Sequence, residues 1–233
     1  MNFTFNPIGI IHSCFKEKFG IPRQAGLISQ AGAALEMLPP YDREEAFRGI
    51  EDFSHIWIFF LFHKCIREKW KPTVRPPRLG GNKRIGIFAT RSGFRPNPIG
   101  LSAVKLEAVR KTKGRLYLDL KGIDFLDQTP VLDIKPYLKY SDCIPQAQSG
   151  FAPEAPDISL KVIFTKKASD FCSAQESRIP ELKDLIIQML KYDPRPAYYS
   201  SKSNKKEEFG TRIYDFDIKW RCEDNMIEII EII

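Results

Sequence analysis

The sequence predicts a mainly β protein whose N-terminal part is an antiparallel barrel or sandwich and whose C-terminal part is a small α+β unit. Residues 53–62 (FSHIWIFFLF) are apolar on both faces and rich in aromatic and β-branched side chains, which is typical of a strand inside a sheet or barrel. The strand-like segments around it have no convincing helix between them, and strands that do not alternate with helices favour antiparallel pairing. The most regular helical pattern comes later, at residues 180–192, where apolar side chains recur at helical spacing.

Each element is predicted from its local composition. β-rich apolar runs predict N-terminal strands at residues 3–13, 33–38, 53–62, 102–109, 115–123 and 131–138. Asp42, with Glu45 three residues on, predicts the N-cap of a short helix over residues 42–48. Towards the C-terminus we expect a strand at 158–165, helices at 171–179 and 180–192, and a hairpin of residues 212–221 and 226–232 around residues 223–225.

A change of composition divides the chain into two parts. Residues 143–157 are rich in Pro, Gly, Ser, Gln and Ala, which is typical of a linker. We therefore expect a first domain at residues 3–142 and a smaller second domain at residues 158–233.

The bulk composition restricts the compartment and the partner. The chain has 233 residues and a formal net charge of +7, which favours a polyanionic partner such as nucleic acid, although many proteins with such a charge bind none. Its five cysteines are odd in number, widely spaced and without a C-x-x-C pair, which argues against a disulfide framework or a zinc cluster. The first thirteen residues lack a signal-peptide pattern, and the longest apolar run, residues 56–62, is too short to span a bilayer. We expect a cytoplasmic protein with reduced thiols and no membrane segment.

The stretch from residue 85 to residue 102 (IGIFATRSGFRPNPIGLS) presents two arginines in a stiff loop. Pro96 and Pro98 fix their own backbone angles and bias Asn97 towards an extended conformation. Arg91 and Arg95 are therefore held with little conformational entropy left to lose. A rigid guanidinium of this kind suits a carboxylate or a phosphate.

Several common site classes are absent from the sequence. There is no G-x-x-x-x-G-K-[ST] loop, no G-x-G-x-x-G after a strand and no G-x-S-x-G elbow, so a P-loop, a Rossmann site and a serine hydrolase are not indicated.

His55 and His63 lie eight residues apart on one predicted strand, about 26 Å at the usual rise per residue, so they cannot share a metal ion. We expect no metal site.

Two further stretches allow both a structural and a functional interpretation. Residues 122–137 (GIDFLDQTPVLDIKPY) could be a solvated hairpin edge, or their carboxylates and backbone could hold a polar ligand. Residues 193–198 (DPRPAY) could simply end a helix, or could present Arg195 and a base-stacking Tyr198 to RNA. Cations of the loop at residues 71–84, Arg75 and Arg78 among them, would supply phosphate contacts.

Taken together, these motifs resemble one known family. PRQ at 22–24, FSHIWIFFLFH at 53–63, RPPRLGG at 75–81, ATRSGFRPNPIGLS at 89–102, DQTPVLDIKPY at 127–137 and DPRPAY at 193–198 resemble the TrmO/TsaA family, in order and over nearly the whole chain. The resemblance implies an S-adenosylmethionine-dependent methyltransferase that acts on N6 of N6-threonylcarbamoyladenosine at position 37 of a threonine tRNA. It also implies a homodimer, and a cofactor-binding N-terminal β-barrel without a Rossmann sheet.

The resemblance also assigns residues to roles. The positions that match the family's cofactor contacts are Pro22, Arg23, Gln24, His63, Lys64, Arg91, Leu101, Phe125, Leu126, Asp127 and Gln128. Arg91 and Arg95 are our candidates for positioning near the reacting centre, with no general base assigned. The expected RNA contacts are Arg75, Arg78, Arg95, Arg195 and Tyr198.

Two other functions remain open at this point. One is a non-catalytic RNA-binding module that uses the same basic loops, and the other is a methyltransferase that acts on another substrate. Titration with S-adenosylmethionine separates the first alternative from an enzyme, and nucleoside analysis of tRNA separates the second.

Overall fold

The computed structural model of the protein describes residues 3–156, 160–195, 207–223 and 225–233. The N-terminal strands are β1 (Gly9–Ser13), β2 (Gly32–Met37), β3 (His55–Leu61), β4 (Thr73–Val74), β5 (Ile85–Gly86), β6 (Ile99–Thr112), β7 (Arg115–Lys121) and β8 (Thr129–Pro136). Six of them close into an antiparallel barrel in the order β1-β2-β7-β6-β3-β8, and β4 and β5 pair separately. The predicted mainly β fold with an N-terminal barrel is thereby confirmed.

The barrel interior explains why the strands alternate as they do. Ile11, Leu35, Ile58, Leu118 and Val131 point inwards and are fully buried. β3 is apolar on both faces because its inward side chains fill this core while its outward ones form part of the barrel's outer wall.

Three long connections lie at the same end of the barrel. They are residues 14–31 between β1 and β2, 62–98 between β3 and β6, and 122–128 between β7 and β8. The registers Ser13 with Ala33 and Leu61 with Ile99 place the end of one strand beside the start of the next. This end of the barrel carries most of the residues expected to bind a cofactor.

The C-terminal part is a second sheet covered by helices. The chain continues through α1 (Lys139–Asp142), β9 (Lys161–Phe164), α2 (Lys166–Gln175), α3 (Leu182–Leu190), β10 (Glu207–Ile213), β11 (Phe216–Glu223) and β12 (Met226–Ile232). The strand order is β10-β11-β12-β9, with β12 and β9 parallel and the other pairs antiparallel. The buried residues of this sheet and of the barrel form one continuous hydrophobic cluster.

The C-terminal part packs against the end of the barrel where the three connections lie. Phe15 forms a bridge with Ile213, and the Tyr214 amide donates to the Cys14 carbonyl at 2.7 Å. The Ser29 amide donates to Gln188 Oε1 of α3 at 3.0 Å. The connection after β1 is therefore held between the barrel and α3.

Some predicted boundaries are wrong. The short helix near residue 42 is a 3₁₀ turn at Glu44–Phe47 that begins after Arg43, without a side-chain cap. The strand predicted at 212–221 is interrupted by a turn in which Tyr214 has φ 54°, so β10 and β11 form a hairpin there. The predicted hairpin at residues 223–225 is confirmed by the pairing of Glu223 with Met226.

Candidate active site

The three connections contact one another through hydrogen bonds. The Gly26 amide donates to the Gly122 carbonyl at 2.8 Å, which joins the first connection to the third. Lys18 Nζ donates to the Lys64 carbonyl at 2.7 Å, which joins the first to the second. The structure thus brings the predicted residues 22–24, 63–64, 91 and 125–128 to one end of the barrel.

Arg91 is exposed and is oriented by a neighbour. Its Nη1 donates to Gln24 Oε1 at 2.5 Å, and Gln24 Nε2 donates in turn to the Arg23 carbonyl at 2.5 Å. One nitrogen of the guanidinium is used in this way, and the residue as a whole is exposed. Arg91 is therefore already oriented, and it loses little side-chain entropy when it binds a carboxylate.

His63 holds a polar atom that lacks a partner. Its Nε2 is buried and makes no hydrogen bond to any of the described residues. Burial, together with the nearby charges of Lys64 and Lys18, lowers the pKa of His63. The imidazole is consequently neutral at pH 7, and a buried neutral nitrogen without a partner is suited to hydrogen bonding with a bound ligand.

Residues 125–128 are fixed along β1 and the segment after it. The Asp127 amide donates to the Phe15 carbonyl and the Gln128 amide to the Ile11 carbonyl, both at 2.8 Å. The Asp127 carboxylate accepts from the Ser13 amide at 2.9 Å and pairs with Lys16 at 2.8 Å. Asp127 is thus already neutralised by partners within the chain.

Phe125 and Leu101 lie in opposite environments. The Phe125 ring is buried against Phe60, with ring centroids 4.9 Å apart, so only its backbone can reach a ligand. Leu101 points outwards from β6, is 46% exposed and is paired with Phe59 on β3. Leu101 therefore offers an apolar surface next to the polar groups of the connections.

Asp124 is a site residue that our sequence analysis did not assign. Its carboxylate accepts from Ser102 Oγ at 2.7 Å and from the Ala25 backbone, and it lies within the field of Arg91. Burial raises its pKa from 3.8 to about 6, although the Ser102 hydrogen bond and the backbone hydrogen bonds oppose this shift. Asp124 contacts β6 and the first connection and directly precedes residues 125–128. The sequence feature that could have identified it is the pair of aspartates separated by two apolar residues at 124–127.

A group of arginines lies where the barrel meets the C-terminal part. Burial lowers the pKa of Arg23, the Asp193 carboxylate raises it and the Arg78 guanidinium lowers it, so these three charged groups are neighbours. Asp193 also binds Arg195 through two hydrogen bonds of 2.8 Å, and the Arg195 side chain is only 14% exposed. Arg195 is therefore less accessible than the helix-end motif suggests.

The remaining predicted RNA contacts differ in accessibility. Arg75 is exposed on the loop after β4. Arg95 is half-buried, and its Nη1 donates to the Thr90 carbonyl at 3.1 Å, so part of this guanidinium holds its own loop. Tyr198 lies outside the described residues.

Other features of the chain are simpler. No three His, Cys, Asp or Glu side chains of the described residues gather as metal ligands would. All five cysteines are free thiols. Across the described part of the chain, no helix has the length and apolar character needed to cross a membrane.

Comparison with known proteins agrees with this geometry. The family model of the tRNA-methyltransferase O N-terminal domain matches residues 10–143, and that of the TrmO C-terminal domain matches residues 157–233. The tRNA (adenine(37)-N6)-methyltransferase of Escherichia coli K12 is 45% identical over 228 residues, which cover 98% of this chain and 97% of that protein. A Pseudomonas aeruginosa protein, whose name provisionally assigns it to the S-adenosylmethionine-dependent methyltransferases, is 44% identical and is covered to 98%.

Solved structures give the same result. The crystal structure of TrmO from Pseudomonas aeruginosa superposes with a TM-score of 0.81 at 38% identity, over 100% of this chain and 99% of that one. The fold and these similarities together define a class, that of methyltransferases built on a β-barrel instead of a Rossmann sheet. Within that class, the chain belongs to the TrmO family.

Proposed function

We propose that this protein methylates N6 of adenine 37 in tRNA, with S-adenosylmethionine as the methyl donor. The finer substrate is the N6-threonylcarbamoyl form of that adenine in a threonine tRNA. The observation that carries the proposal is the end-to-end similarity to the Escherichia coli tRNA (adenine(37)-N6)-methyltransferase, which includes all three connections at the site.

The residues at the end of the barrel fit this donor. The exposed Arg91 suits its carboxylate, the unpartnered Nε2 of His63 suits one of its polar heteroatoms, and Leu101 suits its apolar parts. When bound, S-adenosylmethionine supplies a methyl group that is already activated by a positively charged sulfur. The protein therefore needs to provide alignment and exclusion of water more than a strong base.

The described residues supply alignment in two ways. Gln24 fixes the direction of Arg91, and Asp124 lies within the electrostatic field of that guanidinium and joins two connections. The target nitrogen belongs to a ureido group and is more acidic than a plain amine, so hydrogen bonding that stabilises its developing charge is sufficient to assist transfer. Arg95 is the second candidate for this positioning, on the threonyl carboxylate or on a phosphate.

The rest of the chain is assigned to the RNA and to assembly. In this proposal residues 3–142 bind the cofactor, residues 143–157 link the domains, and residues 158–233 contact tRNA. Arg75 and Arg78 are exposed and Arg195 lies near the surface where these parts meet, and all three would contact phosphates. The enzyme would work in the cytoplasm as a homodimer.

The test uses the purified protein, S-adenosylmethionine and tRNA from cells that lack this methylation. We expect mass spectrometry of the nucleosides to show one added methyl group on N6-threonylcarbamoyladenosine. Methylation of a different nucleoside would refute the proposed substrate but not the enzyme class. If calorimetry detected no S-adenosylmethionine binding while tRNA still bound, the protein would be an RNA-binding module and the proposal would be wrong.

A further inference from the structure

The connection from residue 62 to residue 98 carries the positive charge of the molecule. It contains ten Lys and Arg residues and one Glu, a net charge of +9, whereas the whole chain carries +7. The remaining residues therefore carry a net charge of −2. The positive charge of this connection suits a polyanionic partner.

Two aromatic rings are exposed in the middle of this cationic segment. Phe88 is 74% exposed and Trp70 is 50% exposed, and their ring centroids lie 6.3 Å apart at an interplanar angle of 40°. Lys69 and Lys71 flank Trp70 in the sequence and are exposed as well. Large exposed aromatic groups are unfavourable in water, so such a pair indicates a binding surface.

The backbone beneath these rings is held in place. The pairing of β4 with β5 joins the segments that carry them, and the Ile87 amide donates to the Pro72 carbonyl at 2.9 Å. Ile87 itself is buried, which anchors the 3₁₀ turn from which Phe88 projects. Both rings are thus presented in advance, and little conformational entropy remains to be lost on binding.

We propose that Trp70 and Phe88 form a stacking platform for unpaired nucleobases of an RNA loop, with the surrounding lysines and arginines on the phosphates. This inference rests on the proposed function, because it takes the substrate to be the loop of a tRNA. Aromatic rings interleaved with cations are the usual means by which proteins hold single-stranded RNA. A second copy of the chain is disfavoured as the occupant, because its equivalent segment carries the same +9 charge.

The platform lies next to the candidate active site along the same loop. The turn at Ile87–Ala89 leads directly into Thr90 and Arg91, and the Thr90 amide donates to the Ile87 carbonyl at 3.1 Å. Bases held on the platform would therefore be neighbours of the target adenine, which must approach the methyl donor held by Arg91. The platform would recognise the loop around the target adenine and leave the target itself free.

The experiment measures binding of a fluorescent tRNA anticodon stem-loop by anisotropy at several salt concentrations. Phe88→Ala and Trp70→Ala should each weaken binding about ten-fold, as expected for loss of one stacked base. The slope of affinity against salt should stay unchanged, because no phosphate contact is removed, whereas Lys71→Ala should reduce that slope by about one. Trp70→Phe should restore most of the affinity.

Tyr140→Ala is the matched control. Tyr140 is 88% exposed, and it follows β8 at the opposite end of the barrel. This variant should bind the stem-loop like the unmodified protein, and all variants should bind S-adenosylmethionine normally by calorimetry. A fully base-paired duplex should not distinguish Phe88→Ala from the unmodified protein.

Two results would overturn the platform. One is full stem-loop affinity in both alanine variants, and the other is a changed sedimentation coefficient with unchanged RNA affinity, which would show that a second copy covers the rings. If the unmodified protein bound no stem-loop at all, the proposed tRNA substrate would fail first. The comparison of variants therefore separates the two proposals.

Discussion

Among single residues, Arg91 and His63 illustrate two different preparations for a ligand. Arg91 is exposed and already oriented by Gln24, whereas His63 keeps a buried nitrogen without a partner among the described residues. The first arrangement favours a charged group at the surface and the second a neutral heteroatom inside. Both lie on connections that meet at one end of the barrel.

The role of Arg91 can be tested by removing its guanidinium. Arg91→Ala should lower kcat/KM for methyl transfer on the order of 100-fold, because the carboxylate of S-adenosylmethionine would no longer be held and the methyl group would be misaligned. The thermal unfolding midpoint should hardly change, since this side chain is exposed. Arg91→Lys should recover little activity, because an ammonium cannot make paired hydrogen bonds to a carboxylate. Full activity in Arg91→Ala would contradict its assignment.

Asp124 predicts a pH dependence of stability. Its pKa is raised to about 6, so the folded state binds this proton more tightly than the unfolded chain. Its contribution to stability is therefore present below about pH 4 and is lost as the pH rises through about 6. Relative to Asp124→Asn, the unfolding free energy of the unmodified protein should fall by about 2 kcal/mol between pH 4 and pH 7.

Urea unfolding of both proteins at several pH values measures this difference. Ser102→Ala is the companion variant, because it removes the hydrogen bond that lowers the pKa of Asp124. In that variant the loss of stability should move to higher pH. A difference between the unmodified protein and Asp124→Asn that stays constant with pH would contradict the burial of this carboxylate.

At the scale of elements, the start of β6 depends on a glycine. A Cβ at Gly100 would lie 2.2 Å from Cζ of Phe60, whose ring also packs on Phe62 and Phe125 with centroids at 4.9 Å. Gly100→Ala should therefore destabilise the protein by about 1–3 kcal/mol or more through overpacking. Gly86→Ala is the control, because a Cβ there meets only open space. Equal stability of the two variants in urea would contradict the packing described.

Sequence patterns predicted the elements whose apolar side chains are buried in a core, because burial imposes a regular spacing on those side chains. β3 and α3 are examples, since their apolar patterns are dictated by the core they enter. The ends of a strand were predicted wrongly where they depend on pairing with a neighbouring strand. The strand predicted from residue 3 begins at Gly9, because its pairing with β2 starts there, opposite Met37. The turn at Tyr214 was not predicted, because Tyr214 adopts a left-handed backbone conformation that is rare for a bulky residue.

The candidate site was predicted less completely than the fold, for a physical reason. The motifs indicated Gln24 and Arg91 separately, but their hydrogen bond joins residues 67 positions apart. The neighbourhood of Arg23, Arg78 and Asp193 likewise arises only when the second sheet packs on the barrel. Such contacts depend on tertiary packing, which local patterns do not contain.

At the scale of the whole molecule, one outer face of the barrel remains apolar. The pairs Phe59 with Leu101 and Leu61 with Ile99 lie on it, and Ile99 and Leu101 are each more than two-fifths exposed. The outward face of an antiparallel sheet is usually polar. This face is the natural candidate for contact between two copies of the chain, as the proposed homodimer requires.

Ile99→Glu tests that assembly. A charge placed on an apolar face that is buried between two copies should shift the protein from dimer to monomer. Sedimentation velocity over a range of protein concentrations measures the change, and Lys105→Ala, further along β6, should leave the mass unaltered. A monomeric unmodified protein, or an Ile99→Glu variant that stays dimeric, would refute the use of this face.

The closure of the barrel also has a consequence for synthesis of the protein. β8 pairs with both β1 and β3, and it follows the last of the three connections that meet at the candidate site. A growing chain that has made Gln24 and Arg91 must still make and pair β8 before those side chains lie beside residues 125–128. Ligand binding at this end can therefore begin only after the barrel is complete, and it would favour the closed form over every earlier, open one.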